Sequence, residues 1–196
     1  MRVHVLTISD RAADGAYEDK SGAEIENLLR EAFPESIITR ELIPDEGDMI
    51  RGALMRACGR RPDGTRSCDC AYARVCTKMP ECYAGQTKKR SGINALPDFI
   101  LTTGGTGISP RDVTPEATAA FCEKELPGVA ETLRAASFAE TDKAMLSRAY
   151  AGVYGQTIIV NFPGSARASR LCVQTLIPIM EHAAAMLRGG AHAERA

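Results

Sequence analysis

One short segment constrains the fold of this 196-residue chain more than any other. An apolar run that ends in DFILTT is followed at once by the glycine turn Gly104–Gly107 and then by DVTPEAT. DFILTT has the composition of a buried strand. In DVTPEAT, Thr114 is predicted to be the N-cap of a helix and Pro115 its first residue, with Glu116 at the positive end of the helix dipole. A strand, a turn and a helix in this order predict a unit of a parallel sheet.

The same alternation of strand and helix patterns runs along the rest of the chain. We therefore predict one α/β domain over residues 1–196, a three-layer sandwich in which a mostly parallel sheet is flanked by helices. Pro178 is expected to interrupt or bend the last helix. The other predicted strands are VHVLTIS, Ser36–Leu42 and Gln156–Asn161, and the other predicted helices start at Ser21 (a capping box with Glu24) or span Met49–Cys58, Pro127–Ala139 and Ala168–Leu187.

Composition excludes several classes of function. A formal net charge of -1 and a pI near 6.3 argue against general binding to nucleic acid. No apolar run approaches the length of a membrane span, so no membrane partner is expected. The first residues, MRVHVLTISD, have the pattern of a strand and lack a small-residue cleavage site. A cytoplasmic protein is the expectation.

Four predicted loops meet at one edge of such a sheet, because the carboxyl ends of parallel strands lie at the same edge. Ligands of parallel sheets bind at this edge. Three of these loops carry a carboxylate, from Asp10, Asp45 or Asp112. Main-chain N–H groups of a glycine turn before a helix favour an anion, and carboxylates beside phosphates favour Mg²⁺. The residues thus predict a nucleotide or phosphorylated ligand with Mg²⁺. The loops are Ser9–Arg11, Pro44–Glu46, Gly104–Asp112 and Asn161–Ser165.

Each of these assignments also has a purely structural interpretation. Asp112 stands just before the predicted N-cap and could serve only to start that helix. Asp45 after Pro44 is typical of a turn. The glycines could serve only the packing of helix on strand. The residues alone leave both interpretations open.

Six blocks of the sequence resemble, in the same order, the blocks of one known family. LTTGGTG followed by SPRDVTPEAT resembles the signature of the molybdopterin adenylyltransferase family, the MogA/MoaB group that includes the gephyrin G domain. ISDRAADGAYEDKSG, LIPDE, ELPGVAE, AMLSRAYAG and IIVNFPGS resemble its other blocks. The resemblance covers roughly residues 1 to 57 and 95 to 188.

The resemblance implies ATP-dependent adenylylation of molybdopterin, with release of pyrophosphate, as a step of molybdenum cofactor biosynthesis. It also implies a homotrimer and a partner protein that inserts molybdenum. Asp45 and Asp112 match the family's two essential aspartates, so the resemblance makes them catalytic and assigns them to Mg²⁺ and ATP. The residues that it implies for binding molybdopterin or the nucleotide are Ser9, Asp10, Thr103, Gly104, Gly105, Thr106, Gly107, Asn161, Pro163, Gly164 and Ser165.

The chain departs from the family pattern in two places. Leu171 stands where family members often carry a glutamate. A basic, cysteine-rich insertion at about residues 59–94 joins a predicted helix to the strand DFILTT, which puts its anchors at the edge opposite the predicted site. Its cysteines could bind structural Zn²⁺ or an iron–sulfur cluster, although their spacing lacks paired CxxC motifs. The alternative is a basic loop or docking surface with incidental thiols. The four candidate ligands are Cys68, Cys70, Cys76 and Cys82.

Two other functions stay open from the sequence. A degenerate relative could carry molybdopterin without turnover, although Asp45 and Asp112 are both retained. A scaffold or sensor could use the cysteine-rich insertion as its working part on an inherited fold.

Overall fold

The computed structural model describes residues 1–59 and 96–190. The predicted metal ligands Cys68, Cys70, Cys76 and Cys82 lie outside the described residues, so their assignment stays a prediction. Within the described ranges, no helix is long and apolar enough to cross a membrane.

The centre of the fold is a six-stranded sheet with the strand order β2-β1-β3-β6-β5-β4. The first four strands of this order are parallel, and β5 and β4 continue the sheet in antiparallel pairings. The predicted architecture is confirmed. The strands are β1 (Arg2–Ile8), β2 (Ile37–Ile43), β3 (Phe99–Thr103), β4 (Lys124–Glu125), β5 (Ala151–Tyr154) and β6 (Thr157–Phe162).

Helices cover both faces of the sheet and make a core on each. On one face α2, α5 and α6 pack against residues such as Val3 and Val5, while on the other α3 and α4 pack against Leu6 and Ile8. Alternate side chains of β1 therefore enter opposite cores, as the pleat requires. All five residues of β3 are buried, as expected for a central parallel strand. The helices are α1 (Asp10–Ala13), α2 (Lys20–Ala32), α3 (Gly47–Ala57), α4 (Thr114–Phe121), α5 (Pro127–Phe138) and α6 (Ala166–Leu187), with a 3₁₀ helix at Asp142–Leu146.

Two predicted helix starts are wrong in detail. The N-cap of α2 is Asp19 rather than Ser21, because the Asp19 carboxylate accepts both the N–H of Gly22 and the hydroxyl of Thr7, each at 2.8 Å. This carboxylate ties α2 to β1. Thr114 is the first residue of α4 rather than its N-cap, and the N-cap is Val113, which makes no side-chain cap. Thr114 is fully buried, and its N–H donates to Gly105 O at 3.1 Å.

Among the described residues, four short elements were missed by the sequence patterns, one of them the 3₁₀ helix Asp142–Leu146. A short helix, α1, interrupts the predicted loop after β1, and its N-cap Ser9 accepts the N–H of Ala12. The hairpin of β5 and β6 breaks the predicted alternation of strand and helix, because the two strands turn back at Gly155, whose φ is +57°. β4 pairs with β5 outside this hairpin. The last helix continues through Pro178 as one element.

Candidate active site

The register of the sheet brings the four predicted loops to one edge. Ile8, the last residue of β1, pairs with Ile43, the last of β2, and Thr103 at the end of β3 pairs with Phe162 at the end of β6. The loops that follow are joined by main-chain bonds, since the N–H of Gly104 donates to Phe162 O at 3.2 Å. The prediction of a common edge is confirmed.

Asp10 and Asp45 bind each other's main chain. The N–H of Asp10 donates to Asp45 Oδ2 at 2.8 Å, and the N–H of Asp45 donates to Asp10 Oδ1 at 2.9 Å. The N–H of Ser9 adds a bond to Ile43 O at 2.9 Å. These three bonds fix the loop after β1 against the loop after β2.

The Asp10 carboxylate also holds an arginine from the third loop. Arg111 Nη2 donates to Asp10 Oδ2 at 2.7 Å and to Oδ1 at 2.9 Å, and Arg111 Nε lies 3.1 Å from Oδ2. Hydrogen bonds from this guanidinium, followed by the N–H of Asp45, lower the pKa of Asp10. More than half of the Arg111 side chain is exposed, so its positive charge lies at the mouth of the site, where the four loops meet solvent.

Asp45 is electrostatically different from Asp10. Partial burial is the largest cause that raises the pKa of Asp45, and the negative charges of Asp10 and Asp112 raise it further. The N–H of Asp10 and the charge of Arg111 offset part of this effect. A cation bound near Asp45 would stabilise its charged form, because it would offset the repulsion between this carboxylate and its negatively charged neighbours.

The two aspartates that the resemblance makes essential each lie close to a glycine of the turn. A Cβ added to Gly105 would lie 3.0 Å from Asp45 Oδ1 and 2.3 Å from Thr114 Oγ1, and a Cβ added to Gly107 would lie 3.0 Å from Asp112 Oδ2. Asp112 is itself fixed, since its Oδ2 accepts the N–H of Ser109 at 2.7 Å. Any side chain at either glycine would fill the space between the turn and these carboxylates.

Among the described residues, no group of three or more His, Cys, Asp or Glu side chains is arranged to hold a metal ion. Mg²⁺ does not need such a group, because it commonly takes one or two carboxylates and completes its shell with water and phosphate oxygens. Asp45 and Asp112 offer hard oxygen ligands beside a main-chain turn suited to phosphate. The residues present therefore fit Mg²⁺ only together with a phosphorylated ligand.

Four predicted binding residues are buried and instead support the loops. Thr103 donates its hydroxyl to Pro163 O at 2.8 Å, and the fully buried Asn161 donates its amide to Thr102 Oγ1 at 2.9 Å and Thr118 Oγ1 at 3.0 Å. Gly104 and Thr106 are buried as well. The side chains of Thr103, Thr106 and Asn161 are therefore buried, and Gly104 offers only its main-chain groups.

The fourth loop, by contrast, is accessible. Gly164 and Ser165 are exposed and Pro163 is partly exposed. Ser165 is the N-cap of α6, and its hydroxyl accepts the N–H of Ala168 at 3.2 Å. The loop therefore offers the positive end of a long helix to the site. Leu171, the departure from the family pattern, is partly buried in α6, where its carbonyl accepts the hydroxyl of Thr175.

Sequence reasoning missed two arginines. Arg111 and Arg148 stand in the quoted blocks SPRDVTPEAT and AMLSRAYAG, but neither block shows which atoms an arginine meets. A groove of about 400 Å³ between α5 and α6 was also not predicted, and none of the residues lining it belongs to the predicted site.

Comparison with known proteins gives consistent matches. Residues 80–182 match the family described as "Probable molybdopterin binding domain". The chain is 31% identical over 190 residues to the molybdopterin adenylyltransferase of Helicobacter pylori strain J99, covering 96% of this chain and 89% of that protein. It is 32% identical to the molybdenum cofactor biosynthesis bifunctional protein of Synechococcus elongatus, covering 96% of this chain and 48% of that one. The crystal structure of MoaB from Thermus thermophilus is 34% identical, with a TM-score of 0.69 and 96% of both chains covered.

Proposed function

This chain belongs to the family of molybdopterin-binding proteins that includes molybdopterin adenylyltransferase, and from that premise we propose that its four loops catalyse ATP-dependent adenylylation of molybdopterin. The reaction is a step of molybdenum cofactor biosynthesis. Its substrates are ATP and molybdopterin.

The transfer is balanced without a redox step. An oxygen of the terminal phosphate of molybdopterin forms a bond to the α-phosphorus of ATP, and the bond from that phosphorus to the bridging oxygen of pyrophosphate breaks. Adenylylated molybdopterin and pyrophosphate are the products. Such transfers depend chiefly on positioning and on neutralising phosphate charge, so they need no protein nucleophile.

One observation carries the proposal: the carboxylates of Asp45 and Asp112 both lie close to the glycine turn at the shared edge of the sheet. Main-chain N–H groups of Gly105 and Gly107 would bind phosphate oxygens there. Asp45 and Asp112 would hold Mg²⁺, which when bound neutralises phosphate charge. Arg111 stands at the mouth, where its positive charge would attract the polyphosphate.

The buried residues contribute by fixing these groups. Thr103 holds the fourth loop through Pro163 O, and Asn161 holds β3, β6 and α4 together. Ser9 and Asp10 fix the first loop, so we assign them to the rim and to the orientation of Arg111. Pro163, Gly164 and Ser165 remain candidates for contact with the pterin or the nucleotide.

We also expect association beyond the single chain. A relative named as a bifunctional cofactor protein is about twice the length that this chain covers, which favours a molybdenum-insertion protein as the partner that receives the product. A homotrimer and a cytoplasmic location remain proposals based on the family resemblance. Sedimentation of the purified protein measures the first, and a profile containing monomer only would contradict it.

The test of the reaction is pyrophosphate release from ATP and Mg²⁺ with and without molybdopterin. Release that requires molybdopterin is expected. Tight binding of molybdopterin without pyrophosphate release would instead identify a carrier. Pyrophosphate release at the same rate with and without molybdopterin would identify an ATP hydrolase.

Substitution of the aspartates tests their roles. Asp45→Asn and Asp112→Asn should each reduce turnover at least about a hundredfold, because each would weaken the binding of the Mg²⁺ that neutralises phosphate charge, and loss of such stabilisation commonly costs that much. Asp48→Asn is the matched control, since Asp48 lies three residues from Asp45 on the exposed start of α3 and pairs with Arg51. Wild-type turnover in Asp112→Asn would contradict the assignment.

A further inference from the structure

Arg148 makes contacts that its sequence block did not reveal. Its main-chain N–H donates to Thr106 O at 2.9 Å, and its Nε donates to Gly107 O at 2.7 Å. Its Nη2 donates to Asp112 O, and its Nη1 pairs with Glu116 in the first turn of α4. One residue between the 3₁₀ helix and β5 thus binds both ends of the third loop and the helix that follows.

These contacts engage every nitrogen of the guanidinium, through three of its five N–H groups. Nε, Nη1 and Nη2 each have an acceptor within the protein, and all three acceptors lie on Gly107–Glu116. The three nitrogens of Arg148 are therefore all held by the protein around the third loop, whereas Arg111 pairs with Asp10 at a more exposed position. What Arg148 controls is the path of the main chain that carries Asp112.

The two halves of the third loop are held differently. Gly104 is fixed by Phe162 O, and Gly105 is fixed through the N–H of Thr114. From Gly107 to Asp112, local turn bonds such as Asp112 N–H to Ser109 O are joined to the rest of the protein in two ways: Arg148 binds the main-chain carbonyls of Gly107 and Asp112, and the Arg111 side chain binds Asp10. Loss of Arg148 should therefore release the half that bears Asp112 more than the half that bears the glycine turn.

We propose that Arg148 is a positioning residue for adenylyl transfer, which sets the place of the Asp112 carboxylate by clamping Gly107 O and Asp112 O. The inference rests on the proposed function for its kinetic consequence, but its structural consequence is independent of turnover. Lysine cannot replace this residue, because a single ammonium cannot reproduce the planar fork that reaches three acceptors at once.

The kinetic test compares Arg148→Lys with Arg134→Lys. Arg134 is a matched control because it also donates its guanidinium to a main-chain carbonyl, that of Ala149 at 2.7 Å, beside Arg148 but away from the third loop. Arg148→Lys should lower kcat about 10- to 100-fold, since small displacements of catalytic groups cost that much, with less than about a twofold change in the KM for ATP. Arg134→Lys should change neither by more than about twofold.

Chemical rescue provides a readout that a folding defect would not give. The Arg148 side chain is partly exposed, so a small cation from solvent can reach the space left by Arg148→Ala. Methylguanidinium should raise the kcat of Arg148→Ala and leave Arg134→Ala unchanged. Equal kinetic losses in the two lysine variants, or no rescue, would overturn the proposal.

Hydrogen exchange separates failure of the inference from failure of the proposed function. Arg148→Lys should accelerate amide exchange in residues 107–112, where the N–H groups of Ser109 and Asp112 are bonded within the loop, more than at Thr114, whose N–H is bonded to Gly105 O. Arg134→Lys should not. If the wild-type protein releases no pyrophosphate while this exchange difference is seen, the adenylylation is wrong and the clamp stands. Unchanged exchange in Arg148→Lys overturns the clamp whatever the activity.

Discussion

Replacement of Gly104 by alanine isolates the reason that the third loop begins with glycine. Gly104 has φ +107°, a conformation that residues with a side chain rarely adopt. A Cβ at this position would lie 2.0 Å from Ile8 O, a main-chain atom at the end of β1 that cannot rotate away. Gly104→Ala therefore combines backbone strain with a forced shift of the central sheet.

Gly155→Ala is the control, because it also places alanine at a positive φ but without the clash. Gly155 has φ +57°, and a Cβ there would meet no atom within 4 Å. The left-handed conformation alone costs about 1–2 kcal/mol for alanine. Gly104→Ala should cost at least about 3 kcal/mol in the free energy of unfolding, a large share of the roughly 5–15 kcal/mol that stabilises a native protein.

Urea unfolding followed by far-UV circular dichroism measures this difference, and the absence of tryptophan from the sequence makes circular dichroism preferable to fluorescence. With a slope of about 2 kcal/mol per molar urea, the midpoint should fall by about 1.5 M for Gly104→Ala and by about 0.5–1 M for Gly155→Ala. Equal midpoints for the two variants would refute the argument that contact with Ile8 O requires glycine at this position.

Three further predictions follow from the pKa values. Burial raises the pKa of Asp45 in the folded protein, because it favours the protonated carboxyl. The protonated group contributes its full stabilisation below the unfolded-state pKa, and this stabilisation is lost as the pH rises through the folded-state pKa. At about pH 7, Asp45→Asn should therefore unfold at a slightly higher urea concentration than wild type. The gain in the free energy of unfolding should be less than about 1 kcal/mol, because solvent screens the group. A clear loss of stability at this pH would contradict the prediction. Arg111→Gln should move the pKa of Asp10 upward in an NMR titration, since the guanidinium is the main cause that lowers it; an unchanged titration would show that another group sets it. Burial raises the pKa of the Cys122 thiol to about 12 and that of Cys172 to about 11, so iodoacetamide at about pH 8 should leave both unmodified by mass spectrometry, and rapid alkylation of either would refute it.

The sequence predicted the sheet well because its central strands are buried on both faces. β3 contains the apolar run FIL and is followed by Gly104, and β6 contains the apolar run IIV and is followed by Pro163; these local patterns hardly depend on tertiary contacts. β4 was beyond such reasoning, since its two residues are both exposed and depend on pairing with β5. The N-cap at Asp19 was missed because Ser21 and Glu24 also fit a capping box, and only the contact of Asp19 with Thr7, from a different element, distinguishes the two starts.

The candidate site was predicted at the level of loops but not of atoms. The rule that ligands bind at the carboxyl ends of parallel strands was enough to bring Asp10, Asp45 and Asp112 together. The burial of Asn161 could not be predicted, because a polar residue at the end of a strand has the same pattern whether it faces a ligand or a neighbouring helix. The contacts of Arg148 could not be predicted for a similar reason. Two of its acceptors are main-chain carbonyls, and every residue carries one, so the sequence does not show which of them an arginine binds.

Because the central strands are parallel, the edge of the sheet at their amino ends lies opposite the candidate site. A connection at that edge can change in length with little effect on the reaction. The chain leaves α3 at Cys58 and Gly59 and re-enters β3 at Phe99, where the N–H of Asp98 bonds to Arg2 O at the start of β1. Every group assigned to the reaction follows the other ends of these strands. Evolution could therefore lengthen the connection between α3 and β3 without disturbing the reacting groups, and a protein engineer could use the same junction to attach a reporter.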